Sequence, residues 1–293
     1  MLPLAALVAL AHAYTVTYLF SDARYAPLTL AVARASFRLA RRDPHDFEAR
    51  TRLTIWVLDA SGCAQFAPFF CVSLGRPSTG DYFALIERRL PVLLAMLEHP
   101  PADVTGVLML DSDVALRRNV ADRMERYGAD LVFQRELPCA RRRCVNAGVW
   151  WVRTGSEPAR RVVAAAVSLM RLLAVPDQDA LEIALASAAA DLRVAYLPIE
   201  RYPNGFVHAV NDRLEARRIH LVHANWDALA GAKVPRLDAL ARDVGRWLAP
   251  SVNQTAACAA LRRLDAQNLA AALDCGRPPR TACNVRLQAR CLP

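Results

Sequence analysis

Four stretches of the chain bring together side chains that could do chemistry. In Val107-Leu-Met-Leu-Asp111-Ser-Asp113 an apolar run ends in two carboxylates two residues apart. In extended chain such residues point to one side, and parallel α/β sheets bind ligands beyond the carboxyl ends of their strands. Two hard oxygen donors there suit Mg²⁺ or Mn²⁺ holding a diphosphate. Val145-Asn146-Ala-Gly148 leads into an apolar strand; Asn both donates and accepts hydrogen bonds, and Gly admits a ligand close to the backbone. An ordinary turn before a core strand explains those two residues equally well. Pro176-Asp177-Gln178-Asp179 reads as a helix start with an N-cap, which accounts for one carboxylate and leaves the other for catalysis. Finally, Ile219-His-Leu-Val-His223 puts an imidazole at a strand end, where it could complete the shell of a metal ion or serve only in packing.

The elements that must position these groups alternate in type. Strands are predicted at Thr15–Phe20, Thr51–Leu58, Thr105–Leu110, Leu131–Gln134, Gly148–Val152, Arg193–Leu197 and Ile219–His223. Amphipathic helices are predicted at Leu28–Leu39, Tyr82–Leu97, Pro158–Leu173, Asp179–Ala188 and Leu237–Trp247. In the second helix Phe83, Ile86, Leu90, Leu93, Leu94 and Leu97 share a face. Strands separated by helices imply crossover connections and a largely parallel sheet. One α/β domain is expected over residues 14–247, followed by a Cys-rich tail over 248–293. Trp150 and Trp151 face opposite ways in a strand, so at most one could line a site.

Composition narrows the function classes. Of the 293 residues 54% are hydrophobic and 22% charged, which excludes a disordered chain. The net charge is +9, but 36 of the 37 basic residues are Arg, spread along the whole chain instead of gathered on one stripe. That distribution argues against a nucleic-acid partner. No apolar run reaches the length of a membrane-spanning helix. Residues 1–13 are apolar and end in Ala11-His12-Ala13, which reads either as a signal peptide cut after Ala13 or as a frayed terminus. Eight cysteines, four of them in the last 36 residues and two close pairs at Cys63/Cys71 and Cys139/Cys144, fit disulfides, and no C-x-x-C spacing suggests a metal knuckle. With the acceptor sequence Asn253-Gln-Thr255 they point to a glycoprotein of the secretory lumen, Golgi included.

Taken in order, the motifs resemble the nucleotide-diphospho-sugar transferases of glycosyltransferase family 77 and, more distantly, family 8. The resemblance runs over residues 15–247. It rests on Leu110-Asp111-Ser-Asp113, on Asn146-Ala-Gly148 with its apolar strand and Arg153, and on Asp177-Gln178-Asp179-Ala-Leu181. It continues through Leu197-Pro198 and Pro203-Asn-Gly205 to Val222-His223-Ala-Asn225-Trp226, Gly231, Lys233, Arg236-Leu237 and the closing Arg246-Trp247. It implies a GT-A fold, an α/β/α sandwich on a mostly parallel mixed sheet. It also implies a retaining, metal-dependent transfer of a sugar from a UDP-sugar to a glycan or glycoprotein acceptor. Carried over, Asp111, Asp113 and His223 would hold Mn²⁺ or Mg²⁺. Arg89, Asp111, Asn146, Gly148, Asn225, Gly231 and Lys233 would bind the donor, and Asp177, Gln178 and Asp179 would sit at the anomeric carbon. Arg89 stands where the family usually has Lys, and the family's membrane anchor and stem are not recognised in this sequence. Two other readings use the same string. A nucleotide-sugar-binding protein with weak turnover would keep these residues but not need all of them. Haloacid dehalogenase-like phosphatases also place D-x-D after an apolar strand, though there the motif opens the fold, whereas two strands and two helices precede Asp111.

Lys233 is the single lysine of the chain. A compact ammonium contacting a diphosphate gains strength as the leaving group acquires charge. Lys233→Ala is therefore expected to lower turnover about a hundredfold, on the order of 3 kcal/mol, with little change in donor affinity or melting temperature. Lys233→Arg, which keeps the charge but changes its shape, should recover only part of the rate. Wild-type turnover in both variants would make Lys233 a solvated surface residue.

Overall fold

The structure is a computed structural model that describes residues 14–22, 25–42, 51–58, 60–67, 69–75, 82–118, 120–136, 144–188, 190–205 and 216–225. In chain order its elements are β1 (Tyr14–Ser21), α1 (Ala26–Arg42), β2 (Thr51–Val57), α2 (Ala60–Cys63), β3 (Cys71–Ser73), α3 (Tyr82–Glu98), β4 (Val104–Leu110) and β5 (Val114–Leu116). They continue with α4 (Ala121–Met124), β6 (Leu131–Arg135), β7 (Val145–Arg153), α5 (Glu157–Leu173), α6 (Asp177–Ala186), β8 (Val194–Tyr196) and β9 (Leu221–His223). The predicted N-terminal segment, the helix at Leu237–Trp247 and the Cys-rich tail lie outside the described residues.

Seven strands form one sheet in the order β3-β2-β1-β4-β7-β6-β8, and β5 pairs with β9 in a separate ribbon. Strands β1, β2, β3, β4, β6 and β8 all run one way; β7 alone is inserted antiparallel, between β4 and β6. The sheet is thus mixed and mostly parallel, as the alternation of elements predicts. Its period-two side chains divide the core into two halves. From β4, Val107 and Met109 enter a cluster under α3, α5 and α6, while Leu108 and Leu110 enter the opposite one, with α1, α4 and the β5–β9 ribbon. Helices on one face and helices plus a ribbon on the other make an α/β/α sandwich, the arrangement that the resemblance implies.

On α3, Ile86, Leu90, Leu93 and Leu97 are buried as the periodicity predicts, and Leu85 joins them; Leu94 is only half-buried. Two short strands were not predicted. β3 follows a loop closed by the Cys63–Cys71 disulfide, one of the expected pairs. Cys144 is also disulfide-bonded; Cys139 and the tail cysteines lie outside the described residues. β5, three residues long, gives too little sequence for a period to register.

The two tryptophans of β7 go to opposite faces. Trp150 stacks on Phe133, with centroids 5.2 Å apart, and Trp151 packs on the other side with its Nε1 donating to Thr15 Oγ1 at 3.4 Å. Neither lines a site. The Trp151 indole lies directly on Gly106 of β4, where any Cβ would overlap it. Gly106→Ala should therefore destabilise the fold by about 1–3 kcal/mol through overpacking, read as a lowered thermal midpoint. An unchanged midpoint would mean that the indole can move.

Candidate functional site

Because six strands share a direction, their carboxyl ends collect at one edge of the sheet. Asp22 follows β1 there, Asp111 follows β4 and Glu136 follows β6. The start of β7, running the other way, brings Asn146 and Gly148 to that same edge. Parallel strands open their ligand crevice here.

Asp111 and Asp113 do not continue β4 as extended chain; Ser112 and Asp113 form a turn that leads straight into β5. The two carboxylates nevertheless converge, because β5 pairs with β9 so that Val114 sits opposite His223, and Ala224 N donates to Asp113 O at 2.9 Å. His223 Nε2 comes to 3.1 Å from Asp113 Oδ1 and 3.4 Å from Asp111 Oδ2, yet aligns a hydrogen bond with neither. One donor atom from each of the three residues lies within 4.8 Å of the others. Burial pushes the His223 imidazole down, but Asp113 and Asp111 outweigh it and raise its pKa to about 9. Burial likewise pushes Asp111 up, and Arg89 together with His223 overcomes that and brings it below its ordinary value. Two carboxylates and an imidazole with a buried nitrogen unengaged in hydrogen bonding form a donor set that fits a divalent cation.

The antiparallel insertion explains the next group. Phe133 of β6 pairs with Trp150 of β7, but Gln134 pairs with Asn146, so Ala147, Gly148 and Val149 bulge out of that ladder. The bulge releases the Ala147 peptide, whose N–H donates to Gln178 Oε1 at 3.2 Å and whose carbonyl accepts from Arg89 Nη2. Gly148 lies so close under Asp111 and His223 that a Cβ would overlap Asp111 Oδ2 and the His223 ring. Asn146 and Gly148 are therefore inside strand β7, not in a turn ahead of it. The glycine admits the acidic cluster itself to the backbone.

Arg89 reaches this edge from the buried face of α3. It is 5% exposed, and its Nη1 lies 2.9 Å from Asp111 Oδ1 and 3.4 Å from Asp177 Oδ2. Asp177 is the first residue of α6, preceded by Pro176, whose position supplies no side-chain cap; the expected N-cap at this helix start is absent. Its Oδ1 accepts from Gln178 N at 2.9 Å. Burial raises the Asp177 pKa to about 6 even though Arg89 draws it down, with Asp111 adding repulsion. Asp179, half-buried on the same turn, joins none of these ion pairs.

Asn146 and Asn225 meet through a residue the sequence reading missed. The side chain of Asn146 donates to Glu136, and Asn225 Nδ2 donates to both Glu136 oxygens at 3.2 and 3.1 Å. Their carbonyl ends are engaged as well: Asn146 Oδ1 accepts from Gly148 N at 2.8 Å, and Asn225 Oδ1 from Gly205 N at 3.2 Å. Gln134, also missed, contacts His223. The available signal was Gln134-Arg-Glu136, two polar side chains at the same i, i+2 spacing after the apolar Leu131-Val-Phe133. Gly231 and Lys233 lie outside the described residues. Arg89, Asp111, Asp113, Asn146, Gly148, Asp177, Gln178, His223 and Asn225 are gathered at this one edge.

A model of the nucleotide-diphospho-sugar transferase family matches residues 75–237, a span that holds every site residue expected above from Arg89 to Lys233. No curated protein sequence matches the chain. Among solved structures, the galactosyltransferase LgtC in complex with donor and acceptor sugar analogues is 15% identical with a TM-score of 0.51, over 78% of this chain and 96% of its own. The bifunctional glycosyltransferase WbbM is 14% identical with a TM-score of 0.51, over 79% of this chain and 49% of its own. The glycosyltransferase GlyE of Streptococcus pneumoniae TIGR4 is 15% identical with a TM-score of 0.50, over 79% of this chain and 63% of its own. At such identities these likenesses are of fold, and they agree with the α/β/α sandwich. The family match spans more than half of the chain and takes in the acidic cluster, the β7 bulge and the start of α6, and so the chain belongs to the nucleotide-diphospho-sugar transferase family.

Proposed function

We propose that the protein is a retaining glycosyltransferase that moves a sugar from a UDP-sugar to a glycan or glycoprotein acceptor, with Mn²⁺ or Mg²⁺ held by Asp111, Asp113 and His223. The observation that carries this reading is the convergence of Asp111, Asp113 and His223 within 4.8 Å at the open edge of the sheet. Held by these three residues, a divalent cation would supply Lewis acidity for the charge that builds on the leaving diphosphate. The chain's own groups do the rest. Arg89 neutralises the acidic floor, so three carboxylates can face one donor. Gln178 is assigned to the sugar's side; its oxygen is engaged by the Ala147 N–H, which leaves its NH₂ to donate to a sugar hydroxyl. Asp177, a buried carboxylate paired with Arg89, and Asp179 on the same helix start are assigned to the anomeric carbon. Asn146 and Gly148 are assigned to the donor sugar's side and Asn225, Gly231 and Lys233 to the diphosphate, with Glu136 holding both asparagines. The Cys63–Cys71 disulfide supports work in an oxidising compartment, and we place it in the Golgi lumen. The phosphatase reading has no counterpart in the family match.

Two outcomes test this reading. UDP binding, followed by calorimetry, should require a divalent ion. It should vanish in Asp113→Ala and weaken more mildly in His223→Ala, since two carboxylates then remain; equal affinity with and without EDTA would sink the metal assignment.

Asp177 gives a pH test. Its folded pKa of about 6 lies above the ordinary carboxylate value of 3.8, so the folded state binds this proton more tightly than the unfolded state. The ionised group therefore costs stability above pH 6, and the cost fades as pH falls through 6 toward 4. Asp177→Asn should abolish transfer yet stabilise the protein at pH 8, by on the order of 2–3 kcal/mol. That gain should disappear near pH 4. Thermal melts showing the same difference at both pH values would refute the linkage.

A further inference from the structure

Two buried groups meet the site from behind without touching its open side. Gln134 is fully buried and His223 is 1% exposed, with Gln134 Oε1 and His223 Nδ1 3.1 Å apart. Either atom of a carboxamide could face an imidazole nitrogen, and either imidazole nitrogen could carry the proton. Here the ambiguity is removed by a third group. The other end of Gln134 lies 3.0 Å from the backbone carbonyl of Tyr202. A carbonyl oxygen only accepts, so that end of Gln134 is the NH₂, the end facing His223 is the oxygen, and Nδ1 of His223 must be the donor.

The Tyr202 carbonyl is itself held in direction by the chain around it. Residues 201–204 run beside β9: the Arg201 carbonyl accepts from His220 N at 2.7 Å, and the Pro203 carbonyl from His223 N at 3.2 Å. The Tyr202 carbonyl between them faces β6 instead, where it accepts from Gln134. The Tyr202 side chain adds a second tie, its hydroxyl 2.9 Å from His220 Nδ1. The same contacts that seat β9 therefore aim the acceptor that orients Gln134.

We propose that Gln134 is a positioning residue that keeps a proton on Nδ1 of His223, so that Nε2 is the nitrogen left to meet the cation at Asp111 and Asp113. This rests on the metal reading given above. Nε2 is buried and lies between the two carboxylates, 3.4 Å from Asp111 Oδ2 and 3.1 Å from Asp113 Oδ1, where a cation held by that pair would meet it. Partners of this kind behind a metal ligand commonly govern affinity by about 10–100-fold.

The test is titration of Mn²⁺ alone into the full chain, with free ion read by electron paramagnetic resonance and folding by circular dichroism. Gln134→Met keeps the length of the side chain and removes both hydrogen bonds. Gln134→Asn is too short to reach Nδ1 while bonded to Tyr202. Each should weaken Mn²⁺ binding by about 10–100-fold. Gln134→Glu keeps an acceptor for Nδ1–H and, with its other oxygen protonated, a donor to the Tyr202 carbonyl, and should bind Mn²⁺ within a few-fold of wild type. Wild-type affinity in either the folded Met or the folded Asn variant would overturn the proposal. So would an equal loss in Gln134→Glu, which would make Gln134 a packing residue only. Failure of the wild-type chain to bind Mn²⁺ would instead overturn the metal reading, and this inference with it.

Discussion

A guanidinium buried among carboxylates holds this site together. Asp111 and Asp177 come from different elements, the end of β4 and the start of α6, and both are drawn to Arg89. A buried charge is tolerated only when paired and hydrogen-bonded, and Arg89 meets both conditions through Asp111 and the Ala147 carbonyl. The requirement then spreads outward. Arg89 must leave the core face of α3 at the level of the sheet's carboxyl edge, which the packing of Ile86, Leu90 and Leu93 ensures. The Ala147 carbonyl must be free of the strand ladder, and the bulge of β7 makes it so.

The arrangement carries electrostatic tension that a stable fold would not otherwise keep. Asp177 is buried beside Asp111, and Arg89 compensates it only in part, so its proton is held well above the ordinary carboxylate range. His223 is buried between two carboxylates without aligning a hydrogen bond to either. The first feature costs stability wherever Asp177 is ionised, whereas in the second the two carboxylates stabilise the charged imidazole. Perturbed groups that share a crevice mark it as the candidate site.

Much of this was legible before any coordinates. Alternating apolar runs placed seven strands and four of the described helices to within a few residues, because burial on a sheet face or helix face writes its period into the sequence. Asp111, Asp113 and His223 were legible for a related reason: each stands at the end of an apolar run, and in a sheet of parallel strands such ends must gather. Asn146 and Gly148 were legible as residues but not in place, since an Asn-x-Gly reads as a turn wherever its partners are unknown. Asn146 is strand because it pairs with Gln134 of β6, and Gly148, inside the bulge, is held from the other side by Asp111 N.

Residue order alone thus determined the layered α/β class, the polar strand ends and the types of donor the site contains, all of which follow from local period and side-chain chemistry. The tertiary structure alone decided how they meet. The antiparallel insertion of β7 swung Asn146 and Gly148 to the edge, the three-residue β5 carried Asp113 to His223, and the return of residues 201–204 aimed a carbonyl at Gln134. Glu136 and Gln134 acquired roles through contacts with residues 10 and 89 positions away. Such pairings leave no local period to read, because they depend on strand direction and register, which are settled by the packing of the whole sheet.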